Sequence, residues 1–136
     1  MAEPGGLTFL FDENMPQRLA TAMRTHMGER TTHVYDEFGR DGVLDPEVLR
    51  YVGENGWFLV SRDRRSLRRA PERALIEQFG TGAFFLKDSL DDFCSIARAL
   101  IHNWPEIKRI TRGRDRPFVF LIRERGVVRL ENRHIR

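Results

Sequence analysis

The chain has 136 residues, 40% hydrophobic and 32% charged, a length and balance expected of one soluble domain spanning residues 1–136 with a real core. Cys94 is the only cysteine, which excludes an internal disulfide and a multi-cysteine zinc site. No apolar run approaches the roughly 20 residues a bilayer crossing needs, and Met1 to Gly6 lacks the basic and apolar regions of a secretory signal, so a cytoplasmic protein without a membrane partner is expected.

The net charge of +3 hides an asymmetry. Residues 108–136 hold ten Lys and Arg against three acids, for +7, and residues 1–107 hold thirteen against seventeen, for −4. Only Lys87 and Lys108 are lysines; the other 21 basic residues are arginines. Arginine's planar fork binds phosphate bidentately and stacks on bases, so a nucleic-acid partner is permitted. A genome that favours arginine codons accounts for the count as well.

Leu7 to Phe11 is an apolar run that predicts a first strand and leads straight into Asp12, Glu13 and Asn14. A helix is predicted from Met15 to Met27, with Asn14 as its cap, Pro16 in the first turn and Leu19, Met23 and Met27 as a core stripe. Thr31 to Tyr35 reads as a second strand and Asp36 to Leu44 as a loop. Asp45, Pro46 and Glu47 open a second helix, with Asp45 as cap, and Asn55-Gly56 stops it. Trp57 to Ser61 is a third strand running into Arg62 and Asp63. An arginine-rich turn follows, then a helix from Pro71 to Phe79 and a fourth strand from Ala83 to Leu86. Asp91 or Asp92 begins a helix that Pro105 is expected to stop, with Cys94 among its buried residues. Pro117 to Ile122 and Val127 to Leu130 make a hairpin around a glycine-containing turn. The pattern is a mainly parallel sheet with helical crossovers and a C-terminal β-hairpin.

In a parallel sheet the residues just past each strand gather on one edge, and ligands of open α/β sheets bind outside that edge. Asp12 and Asp63 are therefore expected to converge there. Either could instead serve as a helix-entry residue, and capping alone accounts for Asp45. A cap can still turn one carboxylate oxygen to a metal. Glu37, in the loop after strand two, is a weaker fourth candidate. Converging carboxylates suit Mg²⁺ or Mn²⁺, hard cations that activate water for attack on phosphorus. Arg62, Arg64, Arg65, Arg68 and Arg69 crowd the segment around Asp63, as a phosphate rail or as a merely solvated face. Ser61 and Asn14 complete the substrate-side set, Ser61 as a holder of a metal-bound water. Single-stranded RNA would suit such a recessed edge. The four histidines show no ligand spacing.

Phe11-Asp12-Glu13-Asn14-Met15-Pro16, Asp45-Pro46-Glu47, and the run from Gly56 to Arg65 resemble the PIN-like toxin-related families, relatives of the PilT N-terminus nucleases. Gly82 to Leu86 and Arg116 to Phe120 look like one branch of that group, so the resemblance spans roughly Leu7 to Leu130. It implies a Rossmann-like three-layer α/β/α fold and Mg²⁺- or Mn²⁺-dependent ribonuclease activity. Asp12, Asp45 and Asp63 match the acidic positions, with Glu37 as a fourth. By the same resemblance the chain is expected to be the toxin of a type II toxin–antitoxin pair, with RNA and a cognate antitoxin as partners. Phe and Trp in the last third would suit a homodimer or an antitoxin groove, and would equally suit a core. Related sequences often place a second acid where this chain has Arg65, which keeps open a non-catalytic RNA- or protein-binding module on the same fold. The acids after strand one, Asp63 after strand three and Lys87 after strand four separately suggest a phosphoacceptor switch, against which the arginines beside Asp63 and the basic final hairpin argue.

Overall fold

The computed structural model describes residues 7–40, 42–62 and 70–130, with backbone alone for 70–72. Its elements are β1 (Thr8–Phe11), α1 (Gln17–Met27), β2 (Arg30–His33), α2 (Val34–Phe38), α3 (Asp45–Asn55), β3 (Phe58–Ser61), α4 (Ala70–Phe79), β4 (Gly82–Leu86), α5 (Phe93–Gly113), β5 (Phe118–Ile122) and β6 (Val127–Arg129). They form one six-stranded sheet in the order β2-β1-β3-β4-β5-β6. The first five strands are parallel, and β6 runs antiparallel to β5.

Period-two alternation divides the apolar residues between two faces. Phe9, Phe11, Phe58, Val60, Phe84, Leu86, Phe118, Phe120 and Ile122 pack under α1 and α5. Leu10, Leu59, Ala83 and Phe85 meet Val34, α3 and Ile76 of α4 on the other. The result is three layers, α/β/α. Phe9, Phe11 and Phe84 are wholly buried, each contributing about 1.5–3 kcal/mol of burial.

Helix α5 runs through Pro105 to Gly113 instead of stopping there. A proline inside a helix costs about 3 kcal/mol, because its missing N–H orphans the carbonyl four residues back. That carbonyl belongs to Ile101, and Ile101 and Pro105 are both exposed, on the solvent side where water can serve it. The buried stripe of Ile96, Leu100, Trp104, Ile107 and Ile110 continues past the proline and outweighs the loss. Cys94 is exposed on this helix, because the stripe begins at Ile96 and leaves it on the outer face. Asp92 caps the helix in a reciprocal box with Ser95.

The segment expected to be a loop from Asp36 contains α2. The buried His33 side chain caps it, its Nδ1 accepting the Tyr35 N–H at 3.1 Å. The second strand accordingly ends at His33.

Candidate active site

The chain lays β2 on one side of β1 and β3 on the other. That reversal opens a crevice outside the carboxyl ends of β1 and β3, the switch point where open α/β sheets take ligands. Leu10 lies opposite Leu59 and Phe11 opposite Val60. One step further, register brings Asp12 beside Ser61, and alternation turns both to the face of Leu10 and Leu59. The hydrogen bonds agree. The Asp12 N–H donates to the Val60 carbonyl at 2.9 Å, and the Ser61 hydroxyl donates to Asp12 Oδ2 at 3.1 Å. Asp12 Oδ1 accepts the Glu13 N–H at 2.8 Å.

Asp45 arrives from the layer above. Leu44 is the N-cap of α3, without a side-chain cap bond, and Asp45 is the first helical residue. Capping therefore does not account for this aspartate. Asp12, Asp45 and Ser61 line one small pocket whose apolar walls include Leu59, Ile76 and Phe85.

Asn14 does not cap α1; that position falls to Pro16, with no side-chain bond. Its Oδ1 instead accepts the Arg62 N–H at 3.1 Å and lies 3.4 Å from the Ser61 hydroxyl. The Arg62 guanidinium donates to the backbone carbonyls of Leu90 at 3.2 Å and Asn14 at 3.5 Å. Asn14 and Arg62 thus brace the ends of β1 and β3 against the approach to α5. Asp63, Arg64, Arg65, Arg68 and Arg69 lie outside the described residues.

Glu37 is not brought to the pocket. Its Oε2 accepts from the Thr32 hydroxyl at 2.7 Å and its Oε1 from the Tyr51 hydroxyl at 2.8 Å, so it ties β2, α2 and α3 together. The bond to Glu37, then burial, then the Glu37 charge raise the Tyr51 pKa above the ordinary tyrosine range. A folded-state pKa above the unfolded one gives stability present in full below about pH 10 and lost as pH rises through the folded value. Thermal denaturation of wild type is expected to weaken across that alkaline window. Tyr51→Phe is expected to lack this component of the pH dependence; an identical alkaline profile in both would remove the Tyr51–Glu37 bond from the account.

Two supporting residues gave little sequence signal. Glu13 Oε1 accepts the Gly42 N–H at 2.5 Å, anchoring the loop that delivers Asp45. Continued strand alternation points Glu13 away from Asp12 and does not indicate this partner. His33 is fully buried, with Nε2 at 2.8 Å from the Met15 carbonyl. With Nδ1 accepting, the assigned tautomer is neutral and Nε2 donates. It fastens the end of β2 beneath the segment that carries Asp12.

Among the described residues no three His, Cys, Asp or Glu side chains form a metal cluster. Asp12 and Asp45 nevertheless supply hard oxygen donors to one pocket, and Mg²⁺ is commonly held by one or two carboxylates with waters and substrate phosphate completing its shell. A carboxylate oxygen that accepts a protein N–H or O–H, as those of Asp12 do, can also ligate a cation through its second lone pair. The donor set fits a divalent cation.

Fold and site together define a doubly wound α/β/α domain with an acidic switch point. The chain belongs to the family described as PIN like domain, which matches residues 7–88, from β1 through the end of β4. Domains of this family are generally nucleases. No curated protein and no solved structure matches the chain. No described helix is long and apolar enough to cross a membrane.

Proposed function

We propose that the chain is a metal-dependent endoribonuclease that hydrolyses phosphodiesters of single-stranded RNA, and that it acts as the toxin of a type II toxin–antitoxin pair. The observation that carries the reading is the meeting of Asp12 and Asp45 in one pocket at the β1/β3 switch point. Asp12, Asp45 and Asp63 would hold Mg²⁺ or Mn²⁺, which would supply Lewis acidity for activating water and steadying the leaving oxygen. Asp12 is aimed by the Ser61 hydroxyl and the Glu13 N–H. Asp45 is aimed by the first turn of α3. Two carboxylates lining one pocket present the hard oxygen donors that such a cation takes. Arg64, Arg65 and Arg68 position the phosphates.

The test is cleavage of a mixed single-stranded RNA pool with Mg²⁺ or Mn²⁺ against EDTA, wild type beside Asp63→Asn. Cleavage that needs metal and disappears in the variant is the expected result. Binding without cleavage under either metal would replace the enzyme with a non-catalytic RNA-binding module. Growth arrest on expression, relieved by a co-expressed antitoxin, is the expected behaviour of the toxin. A cell that grows normally while the purified protein cuts RNA would leave the nuclease and discard the toxin.

A further inference from the structure

The hairpin turn at the far end of the sheet stands on the same carboxyl edge as the acidic pocket. Lys87 follows β4, and Arg123, Glu124 and Arg125 make the turn after β5. With Leu121 they line an open groove. In the strand order β1-β3-β4-β5 the turn is three strand spacings from β1, roughly 14 Å. Lys87 is two spacings away, roughly 10 Å. The turn lies beyond the residues 7–88 that match the family.

Its shape is fixed from inside the core. Asn103 of α5 is 4% exposed. Its amide nitrogen donates to the Arg123 carbonyl at 2.7 Å and to the Ala99 carbonyl at 2.8 Å. Its oxygen accepts the Gly126 N–H at 2.7 Å. The Arg123 N–H closes the turn on the Gly126 carbonyl at 3.0 Å, and the Lys87 N–H donates to the Ile122 carbonyl at 2.9 Å. A buried amide costs free energy unless its bonds are made, and here two of its three bonds hold this turn. The turn in turn carries exposed charges. Arg123 and Arg125 are exposed, and Lys87 and Glu124 have side chains 44% and 59% exposed. Against the three cations stands one acid, Glu124, whose Oε1 lies 3.5 Å from Lys87 Nζ.

We propose that Lys87, Arg123 and Arg125 form a second phosphate subsite, which holds the backbone of single-stranded RNA a few nucleotides from the phosphodiester at Asp12 and Asp45. The inference rests on the nuclease reading for its direction along the edge. Among the described residues that line the groove three are positive, and Leu121 is the one apolar side chain. A protein partner would want a desolvated apolar or aromatic centre, whereas a phosphate strand needs spaced cations. A subsite at this distance makes recognition depend on length: a dinucleotide seated at the acids does not reach the hairpin, and a hexanucleotide does.

The test measures binding of a fluorescent dinucleotide and hexanucleotide RNA in EDTA, so that affinity is read apart from cleavage. In Arg123→Gln/Arg125→Gln the hexanucleotide is expected to bind about tenfold more weakly, with the dinucleotide unchanged. Its salt slope should fall by about 0.7 for each phosphate that an arginine no longer neutralises. Glu124→Gln should bind the hexanucleotide more tightly, a gain that damage to the fold would not produce. Equal hexanucleotide affinity in wild type and both variants overturns the proposal, as does absence of binding to either length. Binding of an acidic peptide to the groove with RNA affinity unchanged by the variants also overturns it, in favour of a protein partner. Cleavage under Mg²⁺ or Mn²⁺ in the same preparations decides the nuclease reading separately.

Discussion

Replacing Asp12 with asparagine is expected to abolish metal-dependent RNA cleavage while leaving the fold intact. The amide keeps the carboxylate's shape. Its remaining oxygen can still accept from the Glu13 N–H, as Asp12 Oδ1 does at 2.8 Å. The Ser61 hydroxyl can turn from donor to acceptor towards the new NH₂. What disappears is the charge. A metal's Lewis acidity contributes several kcal/mol to the transition state, and each ~1.4 kcal/mol is tenfold in rate, so a loss of about 10³-fold or more in kcat/KM is expected. Two further readouts separate this from a folding defect. Mg²⁺ or Mn²⁺ should raise the Tm of wild type, because it binds the folded state alone, and should raise that of Asp12→Asn much less. In EDTA the variant should melt close to wild type, since the amide can keep the bonds to the Glu13 N–H and the Ser61 hydroxyl. A variant that cuts RNA at the wild-type rate would sink the assignment of Asp12. One that melts well below wild type in EDTA would show that the Asp12 charge also holds the fold.

Much of the site was legible because parallel-strand geometry turns sequence position into spatial position. Leu7 to Phe11 followed by Asp12, and Trp57 to Ser61 running into Asp63, place an acid just past each of two apolar runs, and strand direction sends both strand ends to one edge. Asp63 lies outside the described residues; what the structure shows at that edge is Asp12 bonded to Ser61, the last residue of its strand, at 3.1 Å. The hairpin was equally legible from its glycine turn between β-rich runs. What failed were features decided by tertiary partners. Asn14 has the composition of a cap, but its oxygen meets the Arg62 N–H, 48 residues away. Glu37 looked like an acid past a strand end, but Thr32 and Tyr51 claim its carboxylate. Pro105 reads as a stop, but a buried stripe on either side of it carries α5 onward. The five residues of α2 are too few for a periodic signal, and the cap that starts the helix is a buried histidine. Local propensity is a weak prior wherever packing can override it. Asp63 and Arg64, Arg65, Arg68 and Arg69 rest on the sequence alone.

Gly53→Ala is expected to destabilise the protein although it improves the local helix. Gly53 sits within α3, where alanine is favoured over glycine by about 1 kcal/mol. A Cβ at this position would collide with the Phe79 carbonyl oxygen of α4 and lie 2.9 Å from the Phe79 Cβ. The first obstacle is backbone, so no rotamer change removes it and the two helices must part. Overpacking of this kind costs about 1–3 kcal/mol, which outweighs the propensity gain and should lower Tm by several degrees. The same movement reaches the site, because Asp45, Val48 and Leu49 of α3 and Ile76 of α4 wall the pocket together. Metal-dependent cleavage should therefore fall in the folded variant, as Asp45 moves relative to Asp12. Gly113→Ala is the control: it lies at the end of α5 with nothing within 4 Å of the added carbon, and it should leave Tm and cleavage near wild type. If Gly53→Ala melts higher than wild type, helix propensity has won and α3 and α4 do not meet backbone to backbone at this point. If it melts lower but cleaves at the full rate, the close approach is real and the spacing of α3 from α4 does not set the position of Asp45.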